Sequence, residues 1–199
     1  MKSLQRILVS GEGGQGVQVI CKILATAAYN SGKKALYVPN YGVEQRGGVS
    51  LGFVQISNAE IGFPKFQDAD ILVILAERAI DRVREYITKD TVIIYDETLV
   101  SGEKLQDIKN EKTAIQALKL AESTLTGRVM NMIVLGFLAN MVGGISLDIL
   151  AQTVNDRLQD KYKKRPELKH FNEKALEIGM REIPRELWKS AGKDTEVPV

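Results

Sequence analysis

Asp70-Ile71-Leu72-Val73-Ile74-Leu75-Ala76 and Thr91-Val92-Ile93-Ile94-Tyr95 are two unbroken apolar runs, separated by a helical pattern over Glu77 to Tyr86. Neither run alternates apolar with polar residues, so each reads as a strand covered on both faces. A short helical pattern between two such strands is what a parallel sheet requires. Towards the N-terminus, Arg6-Ile7-Leu8-Val9-Ser10 is a β-branched run that ends at a glycine cluster, and an apolar helical pattern follows from Val17 to Tyr29. That is a strand, a tight loop and a helix. Lys34 to Val38 predicts a second strand stopped by Pro39-Asn40. From Val49 to Ser57 the apolar positions are Val49, Leu51 and Phe53, then Val54 and Ile56, a change of parity that predicts a bulge.

Towards the C-terminus the pattern is helical from Thr113 onward. Met130 to Met141 is apolar nearly all round and hence buried, and Ser146 is placed to cap a helix whose stripe is Leu147, Leu150, Ala151, Val154 and Leu158. Pro166 starts a further helix carrying Leu168, Phe171, Ala175 and Leu176 inward. The fold class is therefore α/β: three layers, α/β/α, around a mostly parallel Rossmann-like sheet, with a helical C-terminal part. Residues 1–182 read as one domain and 183–199 as a tail, unpacked after Gly192.

The 199 residues are 44% hydrophobic and 26% charged, a globular composition that gives disordered and fibrous classes no support. Twenty-seven basic and 25 acidic residues give a net charge of +2, and only Lys161 to Arg165 forms a local cationic run. Nucleic acid is not an expected partner. The N-terminus lacks the apolar core of a signal peptide, and the longest apolar stretch, Met132 to Ala139, is far short of the roughly 20 residues a bilayer span needs. A cytoplasmic chain is expected. One cysteine, Cys21, cannot close an internal disulfide, form a multi-cysteine zinc site or hold an iron–sulfur cluster, and His170 reads as a solvated surface residue. No catalytic or metal-ligating residue is assigned. Cys21 lies one turn into the first helix, where a thiolate is conceivable, but a small core residue is the plainer reading.

Two segments carry chemistry. Gly11-Glu12-Gly13-Gly14-Gln15-Gly16 satisfies G-x-G-x-x-G between a strand and a helix, a place where backbone N–H groups receive an anion or a close polar group. The ribose-binding acid of a dinucleotide site is missing, since Val38-Pro39-Asn40 stands near its place, and Val17-Gln18 after Gly16 excludes a P-loop. The glycines equally suit close packing of helix on sheet. The second segment is Tyr41-Gly42-Val43-Glu44-Gln45-Arg46-Gly47-Gly48. Arg46 can clamp a phosphate or carboxylate through its planar fork, or pair with Glu44 and brace the loop, and both readings stay open.

These two segments, followed by Asp70-Ile71-Leu72-Val73 and Asn131-Met132-Ile133-Val134-Leu135-Gly136, resemble in order and spacing the gamma subunit of the 2-oxoacid:ferredoxin oxidoreductases. The same module is an internal domain of single-chain pyruvate:ferredoxin oxidoreductase. The resemblance covers about residues 5 to 180, with Val43 and Gln45 at positions where the family pattern is often proline and variable. It implies a complex that decarboxylates a 2-oxoacid on thiamine pyrophosphate with Mg, passes electrons through iron–sulfur clusters to ferredoxin or another acceptor, and releases an acyl-CoA. This chain lacks a Gly-Asp-Gly diphosphate motif, so thiamine and clusters are expected on alpha and beta subunits and a ferredoxin-like delta subunit. Gly11, Gly13, Gly14, Gln15 and Gly16, with Tyr41, Gly42, Glu44, Arg46, Gly47 and Gly48, are then the residues expected to face a partner or help bind coenzyme A. Arg46 would meet a phosphate or carboxylate, Glu44 would orient it, and the amides of Gly13 to Gly16 would receive an anion or carbonyl. Two other functions remain open: a free-standing nucleotide- or flavin-binding oxidoreductase, and a non-catalytic scaffolding module.

Overall fold

The computed structural model describes residues 4–41 and 48–181. Its elements are β1 (Leu4–Glu12), α1 (Val17–Asn30), β2 (Lys34–Tyr41), β3 (Val49–Ser57), β4 (Ile71–Ile74), α2 (Ile80–Val83, flanked on both sides by 3-10 turns), β5 (Val92–Asp96), β6 (Lys112–Ile115), α3 (Ala117–Thr124), α4 (Met130–Val142), α5 (Leu147–Lys164) and α6 (Glu167–Arg181). The strands form one six-stranded sheet in the order β2-β3-β1-β4-β5-β6. Neighbours from β1 through β4 and β5 to β6 are parallel, and β3 runs antiparallel to both β1 and β2. The mostly parallel α/β expectation holds, with β3 as the single reversed strand. Because β3 is reversed, the carboxyl ends of β1, β2, β4, β5 and β6 and the start of β3 lie at one end of the sheet.

Two cores flank the sheet. Ile7, Val9, Val54, Ile71, Val73 and Ile94 face α1 and α3 to α6, while Leu8, Leu51, Phe53, Leu72, Ile74 and Ile93 face the segment around α2 and the turns near Val100 and Leu105. The first layer is thick and helical and the second is thin. In β3 the odd residues Leu51 and Phe53 enter one core and the even residues Val54 and Ile56 the other. Its register against β1 and β2 is unbroken from Val49 to Ser57, so the expected bulge is absent. The parity change reflects burial on both faces. Pro39 does not stop β2, which continues to Tyr41; β2 is an edge strand, where a missing N–H is tolerated. The region from Thr113 is not helical at its start, because Lys112–Ile115 forms β6 on the opposite edge.

The helical layer closes on α4, buried nearly all round. A Cβ on Gly136 would strike the carbonyl oxygen of Leu176, and one on Gly179 that of Ile133, so α4 and α6 meet backbone to backbone through these glycines. Ser146 caps α5 as expected, its hydroxyl accepting the N–H of Ile149 at 3.3 Å. Ala175 and Leu176 of α6 are buried and His170 is exposed, again as read from the sequence. At the end of the sheet remote from the glycine loop, Asp70 takes the Nε and Nη2 groups of Arg6 at 3.1 and 3.2 Å and the Arg6 amide at 2.9 Å. The Asp70 N–H returns a bond to the Arg6 carbonyl at 2.8 Å. Asp70 is thus the clasp between β1 and β4. The expected tail, 183–199, lies outside the described residues.

Candidate functional site

The glycine loop sits where a strand gives way to a helix, at the carboxyl end of β1. Gly16 is the residue before α1 and has φ 79°, a left-handed backbone that glycine adopts without steric penalty. A Cβ there would also lie 2.5 Å from Nδ2 of Asn131, so the turn is seated against the start of α4. Asn131 opens the fourth segment of the family resemblance, and this contact gives it a structural task.

Gln15 holds the loop from within. Its Oε1 accepts the N–H of Glu12 at 2.6 Å and its Nε2 donates to the carbonyl of Leu75 at 2.7 Å. The carboxamide therefore bridges the ends of β1 and β4, packed over Gly11, where an added Cβ would lie 2.5 Å from Oε1. Gln15 N–H donates to the Glu12 carbonyl at 3.2 Å, and Gly13 N–H donates to the carbonyl of Gly48 at 3.2 Å. Of the amides expected to receive an anion or carbonyl, two are thus spent inside the protein, and the carbonyl received by Gly13 belongs to the second segment. Gly14 and Gly16 amides have no acceptor among the described residues.

The two segments are neighbours. Gly11 and Tyr41 are both register partners of Ser50, from β1 and β2 on either side of β3. Gln18, in the first turn of α1, ties the same place together: Nε2 donates to Ser50 Oγ at 2.7 Å and to the Leu51 carbonyl at 2.9 Å, while Oε1 accepts the Tyr37 hydroxyl at 2.6 Å. Gly13 and Gly14 are exposed and Gly11 is buried. Gly42, Glu44, Arg46 and Gly47 lie outside the described residues, as do Val43 and Gln45. On the rim, Glu12 Oε1 lies 3.8 Å from Arg78 Nε. Reading the sequence missed Gln18, Asn131 and Arg78 as site residues; Asn131 stood within a quoted run, whereas Gln18 and Arg78 carry no local signal.

Cys21 is wholly buried beneath Gly52, where any Cβ would strike its Sγ, and burial pushes the thiol above its ordinary value. It is a core residue, unsuited to ligating an iron–sulfur cluster. Among the described residues no group of three or more His, Cys, Asp or Glu is placed to hold a metal ion, and no helix is long and apolar enough to cross a membrane.

Comparison with known proteins bears on this geometry. The sequence model of the pyruvate ferredoxin/flavodoxin oxidoreductase family matches residues 6–182. The chain belongs to that family. It is 34% identical over 158 residues to the 2-oxoglutarate synthase subunit KorC of Methanocaldococcus jannaschii, covering 78% of this chain and 84% of the relative. It is 29% identical to the ketoisovalerate oxidoreductase subunit VorA of Methanothermobacter marburgensis, covering 87% of this chain but 35% of that longer relative. Among solved structures, the gamma subunit of a keto/oxoacid ferredoxin oxidoreductase from Geobacter sulfurreducens superposes with a TM-score of 0.71 at 28% identity, over 89% of this chain and 96% of that one. The resemblance read from the four segments is borne out. In this chain the glycine loop and Gly48 meet at one end of the sheet through the Gly13–Gly48 hydrogen bond, with Gln15 fastening the loop to β4 and Gln18 fastening α1 to β2 and β3 beside it.

Proposed function

We propose that this chain is the gamma subunit of a 2-oxoacid:ferredoxin oxidoreductase complex, in which it serves assembly and carries no thiamine site. The observation that carries this reading is the hydrogen bond from Gly13 to Gly48 with the Gln15 bridge beside it. A loop that spends the amides of Gly13 and Gln15 on its own fold is braced to hold a surface in shape, which suits a docking module better than a free dinucleotide cradle. Thiamine pyrophosphate, Mg and the iron–sulfur clusters belong, in this proposal, to alpha, beta and delta-like partners, with ferredoxin or another acceptor taking the electrons in the cytoplasm. Those groups supply the decarboxylation and the electron path. This chain's own residues present the paired loops. Residues 1–182 act as one domain, followed by a tail.

The proposed partner-facing set is Gly11, Gly13, Gly14, Gln15, Gly16, Tyr41, Gly42, Glu44, Arg46, Gly47 and Gly48. The amides of Gly14 and Gly16, which have no acceptor among the described residues, favour a second role for this set in contacting the phosphates of coenzyme A, with Arg46 as the charged group. The test is anaerobic co-purification on the tagged chain, followed by an assay of 2-oxoacid-dependent, coenzyme A-dependent dye reduction. Thiamine-binding and cysteine-rich chains recovered with that activity sustain the proposal; recovery of the chain alone, inactive, ends it. Arg46→Ala in the intact complex, with assembly and apparent affinity for coenzyme A both unchanged, would remove Arg46 from the set.

A further inference from the structure

Among the described residues, the thin side of the sheet is incompletely covered. Among these residues five helices pack on the opposite face, and α2 with its flanking turns covers β4, β5 and, where Tyr86 meets Phe53, part of β3, whereas towards β2 the cover is the connection from Asn58 to Asp68. Leu36 and Val38 of β2 lie opposite Gln55 and Phe53 of β3, so they share this side, as does Val49. All three are only partly buried. Beside them Phe63 is 79% exposed. The segment bearing Phe63 is anchored, because the buried Gln55 donates through Nε2 to the Phe63 carbonyl at 2.7 Å. Lys65 Nζ, 4.8 Å from the Phe53 ring and 5.8 Å from that of Tyr86, covers the aromatic cluster on which the connection rests. The ring of Phe63 is left outside that cluster.

An isolated exposed apolar residue needs no explanation, but an exposed aromatic ring on an anchored backbone beside a row of half-covered aliphatic residues is the composition of an interface centre. We infer that the sheet face of Leu36, Val38, Val49 and Phe63 is the docking surface for a larger catalytic subunit of the complex, which receives Phe63 in an apolar pocket. This rests on the gamma-subunit reading.

Two observations select that occupant. This module spans 35% of VorA and 84% of KorC, so a neighbour covalently attached in one arrangement has to be held by surface contacts in the other. The face is also continuous with the stitched loops: Val49 follows Gly48, whose carbonyl Gly13 holds. A partner meeting the loops therefore meets Val49 and Val38 next. The open edge of β2 offers no competing mode, because Pro39 lacks a donor in mid-strand and Lys34 at its start is paired with Glu60 at 2.8 Å. The partner lies on the face and does not extend the sheet.

The test uses the complex assembled from full-length subunits, with wild type and Phe63→Asp chains compared. The variant should melt as wild type when isolated and bind the larger subunit at least about tenfold more weakly, as for an aromatic anchor at an interface centre. Backbone amides of residues 36–38 and 61–65 should gain hydrogen-exchange protection on assembly of the wild type. Unchanged affinity of Phe63→Asp overturns the inference while leaving the gamma-subunit reading intact. Failure of the wild type chain to assemble overturns both. An isolated chain that dimerises, and that Phe63→Asp returns to monomer without changing binding of the larger subunit, assigns the face to a second copy and overturns the inference.

Discussion

Replacing Gln15 tests the central element of the site. Its carboxamide satisfies one donor, the Glu12 amide, and one acceptor, the Leu75 carbonyl, at 2.6 and 2.7 Å. Gln15→Met keeps most of the bulk over Gly11 and removes both bonds. A hydrogen bond is worth a net 0.5–1.5 kcal/mol, and a group left without a partner costs about 1–3 kcal/mol when water cannot reach it. Gln15 is only half-buried, so water recovers part of the loss, and about 2 kcal/mol is the expected cost of both bonds together. At about 2–4 °C per kcal/mol for a chain of this size, the melting temperature should fall by about 4–8 °C. Urea unfolding followed by far-ultraviolet circular dichroism gives the free energy, and hydrogen exchange gives the local effect. The Glu12 amide should exchange at least about tenfold faster in the variant, the equivalent of one hydrogen bond's worth of protection. A Gln15→Met chain with wild type stability and an equally slow Glu12 amide would show that the bridge does not hold the loop.

Gly179→Ala should destabilise by about 2–3 kcal/mol although alanine is the better helix former by about 1 kcal/mol, because the new methyl strikes the Ile133 backbone and that obstacle cannot rotate away; a rise in melting temperature would refute the close crossing of α4 and α6. Asp96, wholly buried, accepts the Thr98 N–H and the Leu118 N–H at 2.9 Å each, so Asp96→Ala should cost about 2–4 kcal/mol by leaving both donors unpaired, measured by the same urea titration. Cys21 should react with a thiol reagent only at the rate of unfolding. Because burial raises its folded pKa, the native state keeps a proton that the unfolded state releases, so stability should decline as pH rises above about 9. A Cys21→Ala chain should lose the part of that decline that sets in near pH 9, keeping the decline above about 10 that the burial-raised Tyr86 and Tyr162 contribute.

The elements legible in the sequence were those whose environment is uniform. β4 and β5 are buried on both faces and read as continuous apolar runs, and the β1 loop is punctuated by glycine. β6 was not legible: Lys112 to Ile115 is an edge strand of four residues, none fully buried, and its pairing with β5 is set by distant contacts. β3 misled for the opposite reason, since burial on both sides mimics the parity slip of a bulge. At the site, the glycine pattern located the loop but could not show what occupies it. The partner of Gln15 is a carbonyl 60 residues away and that of Gln18 lies 33 residues away. A glutamine in a glycine loop or in a helical first turn looks the same in sequence whether it reaches solvent or stitches strands together.

The last turn of α4 has a further consequence. Gln5 donates to the Val142 carbonyl at 3.3 Å, and Asn140 donates to the Met180 carbonyl at 2.5 Å. Both ends of the family-matching segment therefore converge on one helix terminus. Gln5 stands at the start of β1, the whole length of the strand from the stitched loops. A polypeptide entering and leaving at one corner can be spliced into a larger chain, or cut free of it, with little rearrangement of what lies at the far end. The convergence makes this module portable. Gene fusion and gene fission can then alter how the complex is encoded while the glycine-loop end keeps its shape.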